Sequence, residues 1–188
     1  MPYPVGFEME YIQRRSRVST FFRYPLLIPH LFFAFFYGIA FYVVWIISWF
    51  ALLFTARWPQ SLYDFSCGFL RYIARLSAYM YLGVDRYPPF SGSEDPDYPV
   101  QIPIAPALGH YSRLKVLFRI LYAILAYVIR YALGIVLAFV AFLSWIAIVI
   151  TGRQPESLQD ALNFSLRYTV RSDALMMLIT ETYPPIGE

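Results

Sequence analysis

From Tyr24 to Thr55 the chain carries no Asp, Glu, Lys or Arg, and a second uncharged run extends from Tyr131 to Thr151. Each exceeds the roughly 20 residues that cross a bilayer core as a helix. Both runs end in the same break, Thr-x-Arg-x-Pro, at Thr55-Arg57-Pro59 and Thr151-Arg153-Pro155. Proline suits a first helical turn and disfavours helix immediately before it, so each break should close one helix and open another. In the segment after Pro59, Asp64, Gly68, Arg71 and Arg75 fall on one stripe at helical spacing. Leu62, Phe65, Phe69, Tyr72, Ile73, Leu76 and Met80 cover the rest. The pattern predicts an amphipathic helix with a narrow polar face. Asp160, Arg167 and Arg171 repeat the stripe after Pro155.

These parallels are a duplication. Shifted by 96 residues, Ser16–Pro89 aligns with Ser112–Pro185 without a gap, with 27 of 74 positions identical. The matches include Ser16-Arg17 with Ser112-Arg113, Phe22-Arg23 with Phe118-Arg119, Gly38-Ile39 with Gly134-Ile135, and Tyr87-Pro88-Pro89 with Tyr183-Pro184-Pro185. A fixed period of this length marks a structural repeat. The fold expected is therefore an all-α integral membrane protein, a tandem repeat of a long transmembrane helix followed by an amphipathic interfacial helix. The first unit covers 1–90, with its apolar helix over about 24–56 and its amphipathic helix over about 60–84. A Pro-, Asp-, Ser- and Gly-rich loop over 91–103 links the units. The second unit covers 104–188, with helices over about 116–151 and about 156–180.

Composition agrees with a membrane setting. Of 188 residues, 59% are hydrophobic and 20% aromatic, and only 14% are charged, against about a quarter in soluble domains. The net charge is +3 and all basic residues but one are Arg, most of them just outside the apolar runs. Guanidinium groups there suit lipid phosphates better than nucleic acid, so membrane lipids are the expected partners and nucleic acid is not. Residues 1–23 carry Glu8, Glu10, Arg14, Arg15, Arg17 and Arg23 before any apolar stretch. That is not the order of a cleaved signal peptide. A lone Cys67 forms no internal disulfide, and with only His30 and His110 the chain supplies no Cys/His zinc site by itself.

The run from Trp49 through Phe54-Thr55-Ala56-Arg57 and Pro59 leads to Leu70-Arg71, Arg75 and Asp85-Arg86-Tyr87-Pro88-Pro89-Phe90. Together with Ile28-Pro29-His30, it resembles the membrane family called domain of unknown function 4389. The second copy departs from that pattern: Pro29, His30 and Phe90 become Leu125, Ala126 and Ile186. The resemblance implies an integral membrane protein, commonly bacterial and so of the inner (cytoplasmic) membrane, and it brings no established activity.

No Walker loop, Rossmann fingerprint, HExxH, CxxC or nucleophile elbow occurs. The chain reads as a non-enzyme without cofactor or metal. His30, the one titratable group in the first apolar run, is a weak candidate ligand for haem or pigment, weighed against an interfacial histidine bonded to backbone freed by the prolines. Arg71, Arg75, Arg167, Arg171 and Arg130 are the candidate contacts to lipid head groups; Arg130 is weighed as a buried ion pair or head-group ligand against snorkelling to the interface, and snorkelling is preferred. Gly38 and Gly134, near the centres of the apolar runs, are candidates for close helix packing, or alternatively for the tips of re-entrant hairpins.

Two topologies compete. Single tilted or kinked spans, the expected arrangement, place seven basic residues on each side apart from Arg130, which gives the positive-inside rule no preference. Hairpins would bring nearly all fifteen to one face, but their short arms leave backbone unsatisfied in lipid. The leading functional expectation is an accessory or scaffold subunit that packs against a larger membrane complex or against itself. The alternative is a lipid-binding or membrane-shaping protein acting through the amphipathic helices, with a transporter component third.

Overall fold

The computed structural model describes residues 3–187. A one-turn helix α1 (Arg17–Phe21) leads into α2 (Arg23–Thr55), and α3 (Gln60–Met80) follows the break. The second unit repeats this order as α4 (Arg113–Leu117), α5 (Arg119–Thr151) and α6 (Glu156–Met176). Matching helices have equal lengths: 33 residues for α2 and α5, and 21 for α3 and α6. Both apolar runs are continuous helices. α2 passes through Pro29 and Gly38, and α5 passes through Gly134, so hairpins turning at these glycines are not formed. The start predicted near 116 is corrected to α4 and α5, with a break at Phe118.

The amphipathic helices stop four residues earlier than the pattern predicts, at Met80 and Met176. Leu82 and Leu178 turn to left-handed backbone there, with φ of 64° and 65°. The amide of Gly83 then bonds to the Ala78 carbonyl at 2.8 Å, and that of Ile179 to Ala174 at 3.1 Å. This closes each helix in a Schellman-type cap. Leucine holds this conformation at a cost near 1 kcal/mol, offset by burial of both side chains.

The two units interlock. The Arg15 amide donates to the Gly152 carbonyl at the end of α5 (3.0 Å), and the Tyr111 amide donates to Ala56 at the end of α2 (2.8 Å). Each lead-in also grips the loop after its own amphipathic helix. The Ser16 amide donates to the Asp85 carboxylate and the Ser112 amide to the Glu181 carboxylate, both at 2.7 Å. Arg23 donates to the Val84 carbonyl at 3.0 Å and Arg119 to that of Thr180 at 3.1 Å. All three pairs are related by the same 96-residue shift, so the molecule has a pseudo-two-fold axis. Since the start of each long helix meets the end of the other, α2 and α5 are antiparallel.

The axis passes through a feature absent from the all-α expectation. Two short strands, β1 (Glu8–Met9) and β2 (Val100–Gln101), pair antiparallel with Glu8 opposite Gln101. The ribbon continues through Gly6 to Pro103 and Ala105 to Pro4, both at 2.8 Å. The segment read as a free linker is therefore structural. It lies along α3, where the Tyr63 hydroxyl donates to the Ala105 carbonyl (2.6 Å) and the Gly92 backbone touches Gly68. The N-terminal strand segment lies along α6, where Tyr3 donates to the Arg171 carbonyl (3.2 Å).

Three layers result: the ribbon in front, α3 and α6 in the middle, and α2 and α5 behind. More than half of α3 is buried, including Phe69, Leu70, Tyr72 and Tyr79. The expectation of interfacial helices with apolar faces in lipid is thus corrected: the apolar faces of α3 and α6 pack on protein. Among the described residues, the large apolar side chains left exposed lie on 17–55 and 113–151, with only Tyr11, Ile12, Tyr87, Phe90, Leu108, Phe164 and Ile186 elsewhere.

The contact at Gly92 gives a test of this layering. A Cβ on Gly92 would lie 2.1 Å from the Gly68 carbonyl oxygen, which neither backbone can accommodate without shifting. Neighbouring Cys67 is buried, and burial pushes its thiol up to about 11, so it should react slowly with maleimide at pH 7. Gly92→Ala should lift the cover and speed that labelling at least tenfold; an unchanged rate would mean the linker does not shield α3.

Candidate functional site

The residues singled out by the sequence do not form one site. His30 is fully buried on α2, with its ring stacked 4.1 Å from Phe90 and 4.7 Å from Tyr87. Its Nδ1 lies 3.1 Å from the Tyr72 hydroxyl, which in turn donates to the His30 carbonyl at 3.2 Å. Tyr87 donates to the Leu26 carbonyl one turn earlier (3.1 Å). The separate motifs Ile28-Pro29-His30 and Tyr87-Pro88-Pro89-Phe90 thus meet in an aromatic box that fastens the loop after α3 to the start of α2. In the second unit Ala126 stands at this place, packed with Ala123 and Leu175, and Tyr183 meets Tyr122 edge-on at 5.9 Å.

The arginine stripes turn inward. Arg71 pairs with Glu94 at 2.7 Å. Arg75 is 1% exposed, donates to the Ser93 carbonyl at 2.8 Å and lies 5.4 Å from the Tyr98 ring. Arg171 is buried with its guanidinium 5.0 Å from the Tyr3 ring. These three are corrected from head-group contacts to contacts with the ribbon layer, because the linker and N-terminal segment cover the faces that carry them. Arg130 does not snorkel; it pairs with Asp173 at 3.2 Å beside the Tyr127 ring. Arg167 alone of the five stays partly exposed without a side-chain partner among the described residues. Gly38 and Gly134 are not packing points within the chain either, since a Cβ at each would meet nothing within 4 Å. Among the described residues no cluster of three or more His, Cys, Asp or Glu side chains is placed to hold a metal.

Sequence reading missed two of the most deeply buried charges. Arg23 and Arg119 are 2% and 1% exposed. Arg23 pairs with Asp85 at 2.8 Å and sits 4.0 Å above the Tyr79 ring. Both arginines recur at the repeat offset, as do the acidic groups Asp85 and Glu181. That recurrence was the available signal, hidden by their place in a run of basic lead-in residues. Trp45 was legible only as aromatic excess, Trp49 only as part of the repeated run, and Trp58 drew no notice. Their indole N–H groups donate to the Met176, Val116 and Leu178 carbonyls at 3.0, 3.1 and 3.0 Å, all across the boundary between units.

What remains open to the surroundings is the apolar back. α2 and α5 are long and apolar enough to cross a membrane, and only 6% and 28% of their most apolar windows are buried. Core helices of a soluble fold would be mostly covered. A family model described as Domain of unknown function (DUF4389) matches residues 17–92 and again residues 113–186. The chain belongs to the DUF4389 family. Its two DUF4389 copies coincide with the two structural units, from α1 to the loop after α3 and from α4 to the loop after α6. No curated protein and no solved structure matches the chain.

Asp173 offers a titration that reports on the middle layer. Burial pushes its carboxyl up to about 6, with the Arg130 guanidinium opposing the shift. A folded pKa above the unfolded value near 3.9 means that the folded state holds the extra proton between those two values. Stability should then be highest below pH 4 for this group and fall as pH rises to about 6, flat beyond. In detergent, wild type should lose about 2 kcal/mol relative to Asp173→Asn between pH 4 and pH 7. Parallel stability curves for the two proteins would exclude the shift.

Proposed function

We propose that this DUF4389 protein is a non-catalytic membrane protein that lies in one leaflet and shapes the bilayer. In this reading α2 and α5 are immersed in hydrocarbon, and the ribbon, α3 and α6 face water. The observation that supports it is the position of the ribbon, halfway between the two ends of the long helices. A 33-residue helix is about 50 Å long. If α2 and α5 crossed the bilayer along that length, Glu8, Glu94, Asp95 and Asp97 would stand near mid-depth. Each charge there costs roughly 2.5–3.5 kcal/mol even on lenient insertion scales.

Lying flat removes the conflict. A helix layer about 10–12 Å thick fits within one leaflet of a hydrocarbon core about 30 Å across. Every helical backbone group stays paired, and the exposed Phe32, Phe35, Phe36, Phe139 and Phe142 meet acyl chains. The basic ends, Arg14 and Arg17 at one and Arg57 and Arg113 at the other, then reach head groups of the same leaflet, so all the positive charge gathers on one face. Such a slab displaces lipid in one leaflet only and favours curvature. A second reading, a scaffold that associates with itself or with other membrane subunits, is favoured by Gly38 and Gly134. A Cβ at either meets nothing within 4 Å, which leaves room for a helix from another chain to approach.

Reconstitution into large vesicles of phosphatidylethanolamine and phosphatidylglycerol tests the proposal. Rising protein content should convert them to tubules or small vesicles by electron microscopy. Phe35→Ser with Phe139→Ser should weaken that conversion several-fold. Vesicles that keep their size while the protein forms stable oligomers would favour the scaffold reading instead.

A further inference from the structure

The two halves of the molecule differ at a further place where the repeat would make them alike. Trp45 on α2 inserts beside the end of α6 and donates its indole N–H to the Met176 carbonyl at 3.0 Å. Shifted by 96 residues, the pair becomes Ala141 on α5 and Met80 at the end of α3. The Met80 carbonyl is one of the last carbonyls of α3, which have no partner inside a helix. The bonds that cap α3 go to Ser77, Ala78 and Tyr79, and none reaches Met80 among the described residues.

A cavity of about 440 Å³ takes the place of the missing indole, lined by Met80, Tyr81, Ala141, Phe142 and Trp145. The groove beside Trp45 and Met176 measures only about 230 Å³. Arg23 also lines the larger cavity, and its Nε, in a side chain 2% exposed, has no hydrogen-bond partner. The lining is mostly apolar, with an acceptor at Met80 and a donor at Arg23. Tyr24 and Phe142, both largely exposed, connect it to the apolar back.

An occupant must therefore be apolar over most of its surface and carry a group that donates to a carbonyl, as the Trp45 indole does in the other half. A hydroxyl both donates and accepts, so it suits the Met80 carbonyl and the Arg23 Nε–H alike. An ester or a hydrocarbon leaves the carbonyl without a donor, and a buried unsatisfied group is costly. We propose that this cavity binds a membrane lipid with a free hydroxyl on an apolar body, such as a long-chain alcohol or a diacylglycerol. Its hydroxyl meets Met80 as the Trp45 N–H meets Met176. The proposal does not depend on how the protein sits in a bilayer, because the site is contained in one chain and can be read in micelles.

The test uses the purified full chain in maltoside micelles, with native mass spectrometry and a melting curve. Hexadecanol and dioleoylglycerol are the probes, and methyl palmitate is the control without a hydroxyl. Wild type should bind one hydroxyl-bearing molecule per chain, at least tenfold more tightly than methyl palmitate. Binding of hexadecanol alone, or of dioleoylglycerol alone, supports the proposal and identifies a single-chain or a two-chain ligand. Ala141→Trp should place an indole where the ligand sits and lower binding at least tenfold while melting temperature holds or rises. Trp45→Ala should open the matching groove and raise the count to two. If Ala141→Trp does not fold, Ala141→Phe, which fills the cavity with less bulk, should lose binding as well. Absent binding by wild type, equal binding of methyl palmitate, or undiminished binding by a folded Ala141 variant would each overturn it.

Discussion

Two guanidinium groups with almost no contact with solvent, Arg23 and Arg119, set the terms for the rest of the molecule. A buried charge is costly unless it is hydrogen-bonded or paired. Arg23 meets this need with the Val84 carbonyl, the Asp85 carboxylate and the face of Tyr79, and Arg119 bonds the Thr180 carbonyl. The partners belong to the last turn of the amphipathic helix and the loop after it, so each long helix must start where its own second helix ends. That forces every unit into an antiparallel pair of helices. The residues just before each arginine bond the far end of the other unit's long helix, so neither unit closes without its twin.

The layered arrangement follows from this reciprocity. With each lead-in held at the opposite end of the partner unit, the segments before them run inward from both ends and meet at the axis as a two-stranded ribbon. The ribbon covers Arg71 and Arg75 on α3 and Arg171 on α6, which become internal ties, while Asp64 and Asp160 stay exposed. Most of the large apolar surface that remains is then carried by α2 and α5 on the opposite side. A polar front and an apolar back on one small protein are what an arrangement in a single leaflet requires.

The duplication, the four principal helices and the two breaks were legible from residue spacing, because they depend on local period and on proline. What was not legible is tertiary. Arg71 and Arg75 sit on a stripe that looks solvent-directed in isolation, yet the cover over it comes from 91–105, a stretch without periodicity. Met9, Tyr3 and Tyr98 gave no sign that they would lie against helices far away in sequence. Gly38 and Gly134 drew attention as repeated glycines in apolar helices, but each faces open space, and the glycine that does bring backbones together is Gly92. The Arg130–Asp173 pair was hidden because its members lie 43 residues apart on different helices.

The central claim is that both ends of the long helices lie on the same side of the membrane. With Cys67→Ser as background, single cysteines at Arg14→Cys and His110→Cys mark the two ends, since Arg14 bridges to Arg153 after α5 and His110 precedes the Tyr111 bond to Ala56. In sealed proteoliposomes of one protein orientation, a membrane-impermeant maleimide added outside should label both positions or neither. Labelling of one position from outside and of the other only after the vesicles are opened would show that α2 and α5 cross the bilayer, and would contradict the account.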